Sequence, residues 1–250
     1  MRLVADIGNS NIKIALWKNK LLQKVLQFET STYKKMNFHL HKYKNNFIES
    51  IFFSCVAKEE IANHFKKYAK KLFKCSIKRI RSTKKLFNIK NNYQTSFKLG
   101  DDRWCSIVGS HIKHKKLLML VDSGTATTVD IVDKQGRYLG GYIFAGFDGY
   151  KNSFNQIEGL KKLNIQLNQK KKIKFFPTNT KDGISDGYKL MISSAIETIF
   201  NETRIKFKTK PIVIISGGFG EDLSRLAKIK NNYQQNIVLE SLGFISDFLR

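Results

Sequence analysis

The chain has 250 residues and a net charge of +25, from 45 Lys and Arg against 20 Asp and Glu. This length can bury a sizeable core as one domain or two small ones, and no apolar run approaches the roughly 20 residues of a membrane-spanning helix. An early Asp6 argues against a signal peptide, and three widely spaced cysteines argue against a zinc site or a disulfide framework, so we expect a cytoplasmic protein.

The first part of the chain predicts an α/β domain. Alternating apolar residues indicate three consecutive strands, a buried run indicates a parallel strand, and helical spacing indicates an amphipathic helix. In order these are the strands Arg2–Asp6, Asn11–Trp17 and Leu21–Phe28, a helix within Thr32–Lys44, the strand Ser50–Val56, the helix Glu59–Phe73 and the strand Cys75–Ile80.

A polar stretch, Thr83–Ser96, predicts the connection to a second part. That part has a similar order of elements: a helix to about His114, a hairpin over Leu117–Asp133, a strand Tyr138–Ala145, a helix Phe147–Leu163, a basic loop Lys170–Lys174, a helix Ile184–Phe207, a strand Ile212–Ile215, a helix Glu221–Lys228, the short run Ile237–Leu239 and a helix Ser241–Leu249. The repetition predicts two α/β halves of similar topology, 1–95 and 96–250, facing each other across a cleft, with the last helix able to pack back across the boundary.

Both halves contain a hairpin with the residues of a phosphate site. One strand ends at Asp6 before Gly8-Asn9-Ser10, and another ends at Asp122 before Ser123-Gly124-Thr125, with Asp130 in the strand that follows. Glycine permits the tight turn, the tip offers backbone N–H groups and hydroxyls to a phosphate, and a carboxylate can hold the accompanying cation. The duplicated hairpin predicts a nucleotide-binding protein.

Several other nucleotide-site and catalytic motifs are absent from the sequence. It has no Gly-x-x-x-x-Gly-Lys loop, no Gly-x-Gly-x-x-Gly after a strand and no Gly-x-Ser-x-Gly elbow. An ordered set is present instead: Asp6-x-Gly8-Asn9-Ser10-x-x-Lys13, Gly100-x-Asp102-Arg103, Asp122-Ser123-Gly124-Thr125-Ala126-x-Thr128-x-Asp130, Gly140-Gly141-x-Ile143 and Gly217-Gly218. Over nearly the whole chain this set resembles the type III pantothenate kinases, members of the acetate kinase–sugar kinase–heat-shock–actin superfamily.

The resemblance implies a fold, an activity and partners. The fold is α/β, with two actin-like (ribonuclease H-like) halves of duplicated topology and a central cleft. The activity is ATP-dependent phosphorylation of pantothenate to 4'-phosphopantothenate, the first step of coenzyme A biosynthesis. The implied cofactors are ATP with Mg²⁺ and a monovalent cation, K⁺ or NH₄⁺, at Asp122; the implied assembly is a homodimer with the pantothenate site near the subunit interface.

The resemblance also implies roles for single residues. Asp102 is the general base for the pantothenate hydroxyl, although from the residues alone it could also cap the helix that follows. Arg103 binds substrate or transition-state charge, and Asp101 is expected to be a solvated or capping residue. The implied ATP-binding set is Asp6, Ile7, Gly8, Asn9, Ser10, Asn11, Ile12, Lys13 and Thr125, and the implied substrate-binding set is Tyr93, Gly100, Asp101, Asp102, Arg103 and Thr180.

The chain departs from the family pattern at three positions. Asp101 stands where a small residue is usual, Gly183 where Ala is usual, and Ala145 where Pro is usual. These departures bear on details of the substrate pocket.

Two alternatives remain beside the kinase. A non-catalytic actin-like regulator is disfavoured, because Asp6, Asp102 and Asp122 are all present. A basic nucleic-acid-binding protein would account for the charge, but the lysines are scattered, are not interleaved with aromatic residues, and accompany the Asn, Ile and Phe usage of an AT-rich genome. We therefore predict no nucleic-acid or membrane partner.

Overall fold

The computed structural model describes residues 1–161, 163–167 and 172–249. Its longer elements, in chain order, are β1 (Arg2–Ile7), β2 (Asn11–Lys18), β3 (Leu21–Glu29), α1 (Met36–His41), β4 (Ser50–Cys55), α2 (Glu59–Phe73), β5 (Ser76–Arg79), β6 (Lys85–Leu86), β7 (Ile89–Asn91), α3 (Asp101–His114), β8 (Leu118–Ser123), β9 (Ala126–Val132), β10 (Arg137–Ala145), α4 (Phe147–Ser153), α5 (Thr180–Phe207), β11 (Ile212–Ser216), α6 (Gly220–Leu226), β12 (Asn232–Tyr233) and α7 (Ile237–Phe248).

The chain forms two compact units. Unit 1 comprises Met1–Lys115, Lys134–Leu139 and Asn236–Arg250, and unit 2 comprises Lys116–Asp133 and Gly140–Gln235. This division differs from the boundary predicted after residue 95, because α3 and α7 both belong to unit 1. The polar stretch over Thr83–Ser96 is therefore internal to unit 1, where it contains the short antiparallel strands β6 and β7.

The sheet of unit 1 has the order β3-β2-β1-β4-β5. The meander β1–β3 is antiparallel, whereas β4 pairs with β1 and β5 pairs with β4 in parallel. Apolar side chains of these strands pack against α1 and α2 in one core cluster that includes Leu3, Ile14, Phe53 and Phe65. The helix α2 spans the residues predicted from its period, because its apolar positions fall on one face.

The helix α7 completes unit 1. It packs closely against α3, where a Cβ added at Gly109 would lie 2.3 Å from the Cα of Ser241. It also packs against β2, because a Cβ at Gly243 would lie 2.2 Å from the indole ring of Trp17. Asp247 pairs with Arg2 and accepts a hydrogen bond from the Trp17 indole at 3.2 Å. The last helix therefore covers the start of the first sheet.

Unit 2 is built around β8. Antiparallel β9 lies on one side of β8 and parallel β11 on the other, and β12 pairs with β11 in parallel. Its core cluster includes Val121, Tyr188, Ile196 and Ile215. The remaining strand, β10, begins in unit 1, where Arg137 and Tyr138 pair with Lys90 and Asn91 of β7.

The two sheets repeat one topology, as predicted. In chain numbering, the strand order β3-β2-β1-β4-β5 corresponds to β10-β9-β8-β11-β12, with β7 and β6 added beyond β10. In both, a meander is followed by two parallel strands on the far side of the first strand. The fold is thus mixed α/β with duplicated topology.

Several predicted helix bounds differ from the structure. The helix expected over Phe147–Leu163 is only α4, followed by two short 3₁₀ turns. The helix expected from Ile184 begins at Thr180, because the Asn179 side chain accepts a hydrogen bond from the Asp182 amide. The run Ile237–Leu239 belongs to α7. The predicted basic loop Lys170–Lys174 lies partly outside the described residues.

No helix within the described ranges is both long enough and apolar enough to cross a bilayer.

Candidate active site

A row of polar side chains crosses the sheet of unit 1 at the carboxyl end of β1. Asp6 pairs with Lys13 of β2 on one side and with Ser54 of β4 on the other. Directly paired residues present their side chains on the same face of a sheet, and Ser54 Oγ donates to Asp6 Oδ1 at 2.9 Å. The strands β1, β2 and β4 thus place a carboxylate, an ammonium group and a hydroxyl next to one another at one end of the sheet.

The tip beyond this row is held by local hydrogen bonds. The Gly8 amide donates to the Asn11 carbonyl at 3.0 Å, and Thr30 donates through Oγ1 to the Gly8 carbonyl at 2.7 Å and through its amide to the Ser10 carbonyl at 2.9 Å. Asn9, Ser10 and Asn11 are exposed. The Gly8 amide therefore serves the turn, and the ATP-binding role implied for Gly8 stays a prediction.

The second hairpin repeats the row of the first. Asp122 of β8 pairs with Thr128 of β9 and with Ser216 of β11. Thr128, Asp122 and Ser216 thus occupy the sheet positions that Lys13, Asp6 and Ser54 occupy in unit 1. The duplication extends from strand order to the serine beside each aspartate, which the motifs did not reveal.

Two glycines approach the second hairpin closely. A Cβ at Gly217, where φ is +95°, would lie 2.6 Å from Asp122 Oδ1 and 2.3 Å from the Ser123 carbonyl oxygen. A Cβ at Gly146 would lie 2.4 Å from the Thr125 carbonyl oxygen. These glycines allow backbone to pack where a side chain could not, and Gly217 does so beside the Asp122 carboxylate and the Ser123 carbonyl.

Asp101 is the first residue of α3 and is enclosed by hydrogen-bond donors. Arg79, at the end of β5, donates to Asp101 Oδ2 from Nε at 3.2 Å and from Nη2 at 3.1 Å. The Ser82 amide donates to Oδ1 at 2.9 Å. The Asp101 side chain is only 12% exposed. The expectation that Asp101 is a solvated or capping residue is wrong, because both of its oxygens are held by protein groups.

Asp102 and Arg103 lie in the first turn of α3. The N-cap position is Gly100, so Asp102 lies inside the helix and does not cap it. Its Oδ1 accepts a hydrogen bond from the Arg103 amide at 2.7 Å. A Cβ at Gly100 would lie 2.5 Å from the same oxygen, so glycine at that position leaves room for the carboxylate.

Two tyrosines accompany Arg103. Arg103 Nη2 donates to Tyr138 Oη at 3.1 Å, and the fully buried Tyr138 ring stacks with the Tyr93 ring at a centroid distance of 6.4 Å. The Tyr93 amide donates to Asn91 Oδ1 at 2.9 Å. Tyr138 and Asn91 were not singled out as site residues in the sequence. Tyr138 could have been found as a tyrosine in a buried strand, because a buried hydroxyl requires a hydrogen-bond partner.

Asp6 and the start of α3 both lie against the end of β4. Asp6 accepts a hydrogen bond from Ser54 of β4, and a Cβ at Gly100 would lie 3.7 Å from Val56 Cγ1. Burial raises the pKa of Cys105 well above its usual value, and the negative charges of Asp101, Asp6 and Asp102 raise this pKa further. The structure of unit 1 therefore brings the predicted ATP-binding residue Asp6 and the predicted base Asp102 to one region.

Two further predicted residues belong to unit 2. Thr125 is exposed at the tip of the β8–β9 hairpin, and Thr180 is exposed as the first residue of α5. Asn179 Nδ2 also donates to Asp182 Oδ2 at 2.8 Å, so reciprocal side-chain contacts fix the helix start that carries Thr180.

Known proteins are similar in sequence to this chain over more than half of its length. The model of the family described as type III pantothenate kinase matches residues 2–202. A type III pantothenate kinase of Colwellia psychrerythraea is 26% identical, with 100% of this chain and 97% of the relative covered. The match to that of Azoarcus sp. is 28% identical but covers 63% of this chain and 57% of the relative.

Solved structures share the fold. A Campylobacter jejuni protein, described as a candidate transcriptional activator of the Baf family, gives a TM-score of 0.62 at 21% identity, covering 99% of this chain and 98% of that chain. The activator of 2-hydroxyisocaproyl-CoA dehydratase from Clostridium difficile gives 0.53 at 9% identity, covering 98% of this chain and 94% of that chain. At these identities the likeness shows only the fold, which is the mixed α/β fold described above.

The family model covers well over half of the chain, and the motif residues lie at the strand and helix ends described above. The chain therefore belongs to the type III pantothenate kinase family.

Proposed function

We propose that the protein catalyses its family's reaction, the ATP-dependent phosphorylation of pantothenate in coenzyme A biosynthesis, with Asp102 as the general base. The observation that carries this proposal is the arrangement in unit 1, where Asp102 and Arg103 open α3 in the same region as Asp6. In phosphoryl transfer to a hydroxyl, the carboxylate can accept the hydroxyl proton and the guanidinium can stabilise negative charge on the phosphoryl group.

In the proposed reaction the pantothenate hydroxyl gives its proton to the Asp102 carboxylate. Its oxygen forms a bond to the γ-phosphorus of ATP, the bond from that phosphorus to the β-phosphate oxygen breaks, and ADP leaves. The hydrogen bond from the Arg103 amide orients Asp102. Arg103, itself oriented by Tyr138, stabilises substrate or transition-state charge.

The proposed ATP-binding residues are those of the two hairpins. In unit 1, the exposed residues Asn9 to Asn11 offer backbone N–H groups to phosphate oxygens, and the half-buried Lys13 offers its ammonium group. In unit 2, Thr125 has the same role at the corresponding tip. Mg²⁺ is proposed to accompany ATP, since bound metal ions neutralise phosphate charge in this reaction class.

A monovalent cation, K⁺ or NH₄⁺, is proposed to bind at Asp122. The Asp122 carboxylate and the Ser123 carbonyl both approach Gly217, and this set of oxygens suits a hard cation. The cation would supply positive charge for the phosphates. We expect low activity in Na⁺-only buffer and full activity with K⁺, and a loss of this difference, or of all activity, in Asp122→Ala. Equal wild-type rates in the two buffers would contradict the cation site.

We also propose that the protein is a homodimer in the cytoplasm, where ATP is available. Exposed apolar side chains support the proposed dimer interface. Tyr142 and Ile143 of β10 are 55% and 61% exposed, and Leu190 and Met191 of α5 are 44% and 41% exposed. No observation on the described residues favours the regulator or the nucleic-acid-binding alternative.

The test of the function is ADP release in the presence of ATP with and without pantothenate. Asp102→Asn keeps the shape of the side chain but cannot accept the proton, so we expect kcat to fall by about 10²–10⁴ with ATP affinity largely kept. The control is Glu158→Gln, the same chemical change at a side chain that is 96% exposed. Wild-type protein that releases no ADP in response to pantothenate would refute the proposal.

A further inference from the structure

Arg79 joins three elements of unit 1 at one point. Its Nη1 pairs with Glu59 in the first turn of α2 at 2.6 Å, and its Nη2 donates to the Cys55 carbonyl at the end of β4 at 2.8 Å. Its Nε and Nη2 hold Asp101 at the start of α3. The guanidinium is planar and rigid, so these bonds fix the directions of its partners as well as their distances.

The ion pair with Asp101 is largely shielded from water, because the Arg79 and Asp101 side chains are 13% and 12% exposed. Removing one partner of a buried pair leaves an uncompensated charge, whereas removing both partners together costs much less. The contact with Glu59 differs, since the Glu59 side chain is 53% exposed and solvent screens it.

Asp101 immediately precedes the proposed base. Whatever fixes its carboxylate also fixes the first turn of α3, and with it the backbone from which Asp102 and Arg103 project. The negative charge of Asp101 also disfavours ionisation of a neighbouring carboxyl group, and the positive charge of Arg79 offsets that effect.

We propose that Arg79 and Asp101 form a positioning pair that sets the orientation and the electrostatic surroundings of Asp102. This inference rests on the proposed function, since it assumes that Asp102 accepts the proton. At position 101, where a small residue is usual in the family pattern, the carboxylate of this chain is paired with the Arg79 guanidinium.

The experiment compares Arg79→Met, Asp101→Asn and the double variant with wild type. We expect Arg79→Met to lower kcat by about 10-fold to 10²-fold, because small displacements of reacting groups have effects of this size. Asp101→Asn should lower kcat less, and the double variant should be more active than Arg79→Met. Arg81→Met is the control, because it removes an exposed ion pair with Glu59 whose side chains are 60% and 53% exposed.

The pH dependence of kcat/KM separates positioning from simple stabilisation. Removing Arg79 leaves the Asp101 charge beside Asp102, so the acid limb should move to higher pH, by on the order of one unit. Removing Asp101 leaves the Arg79 charge, so the limb should move to lower pH, and the double variant should return it towards wild type. The other charged or titratable groups near this cluster are unchanged in all three variants. They are Glu59 on α2, which pairs with Arg79; Arg103, whose amide donates to Asp102; and Asp6 and Cys105, which lie in the same region of unit 1.

A purely structural pair would lower the melting temperature of the single variants and leave both acid limbs in the wild-type position. That outcome, in protein that phosphorylates pantothenate normally, would overturn this inference alone. Wild-type protein without pantothenate-dependent ADP release would instead overturn the proposed function and the inference with it. If Arg79→Met fails to fold, Asp101→Asn carries the test, because an unshifted acid limb there also refutes the pair.

Discussion

At the scale of single residues, the hydroxyl of Tyr138 is the most informative buried group. The ring lies wholly inside unit 1 and its oxygen accepts a hydrogen bond from Arg103. A buried polar atom that loses its partner is costly, so the hydroxyl and the guanidinium hold each other in place. Tyr93 stacks on the same ring, which links two of the predicted substrate residues through one that was not predicted.

Tyr138→Phe should lower kcat/KM for pantothenate by about 10-fold to 10²-fold, since a hydrogen bond to a charged group is worth about 1.5–3 kcal/mol. The ring and its packing are kept, so the melting temperature should change little by comparison. Tyr233→Phe, at an exposed tyrosine of β12, is the control. Unchanged kinetics in Tyr138→Phe would show that the hydrogen bond from Arg103 to Tyr138 does not contribute to the reaction.

The sequence predicted the residues that stand at strand ends better than their partners. Asp6, Asp102 and Asp122 could be located because each belongs to a motif and to a recognisable element boundary. The partners Ser54, Ser216 and Arg79 could not, because each is brought to its aspartate by pairing or packing between elements distant in the chain. Asp101 was misjudged for the same reason, since its partner Arg79 lies 22 residues away.

At the scale of elements, glycines decide how closely helices can approach. Gly109 of α3 lies against the backbone of Ser241 in α7, so an added methyl group has no space. Gly183 of α5 has no atom within 4 Å of the position that a Cβ would occupy. Replacing glycine by alanine should therefore have opposite effects on the free energy of unfolding in the two helices.

Gly109→Ala should lower the free energy of unfolding by about 1–3 kcal/mol or more, because backbone must move to admit the methyl group. Gly183→Ala should raise it by roughly 0.5–1 kcal/mol, because alanine loses less conformational freedom in a helix. Urea unfolding of both variants measures the two changes. A stable Gly109→Ala protein would mean that α3 and α7 can separate without cost.

Helix and strand bounds were predictable where the pattern was strong. The period of α2 and the alternation of β1 to β3 gave bounds close to those observed. The start of α5 was placed four residues late, because the first turn contains polar residues and the cap signal, Asn179 followed by Asp182, was overlooked. The helix predicted over Phe147–Leu163 ends at Ser153, where Asn152, Ser153 and Asn155 are weak helix formers.

At the scale of the whole molecule, the sequence revealed the duplication but not how the chain is shared between the units. Two Asp-Gly hairpins and a repeated order of elements were enough to predict two sheets of one topology. Nothing local to Ser241–Leu249 shows that this helix packs on Trp17 and Gly109, since that depends on side-chain fit across most of the chain.

The net charge of +25 bears on the proposed dimer. Two copies of so basic a chain repel each other, and salt screens this repulsion within a Debye length of about 10 Å at 0.1 M. Sedimentation at micromolar concentration should therefore give the mass of a dimer, with a dissociation constant that decreases as salt is added. A fully active monomer at all salt concentrations would refute the dimer.

The place of α7 in unit 1 has a consequence for the order in which the protein is made. The ribosome completes β1 to β5 and α3 long before it reaches Asn236, yet α7 packs on Trp17 and on Gly109 of α3. Unit 1 is thus the first to begin folding and cannot be finished until unit 2 has been synthesised. A chain stalled before Asn236 should consequently expose an unfinished apolar face to chaperones and be cut within unit 1 by added protease.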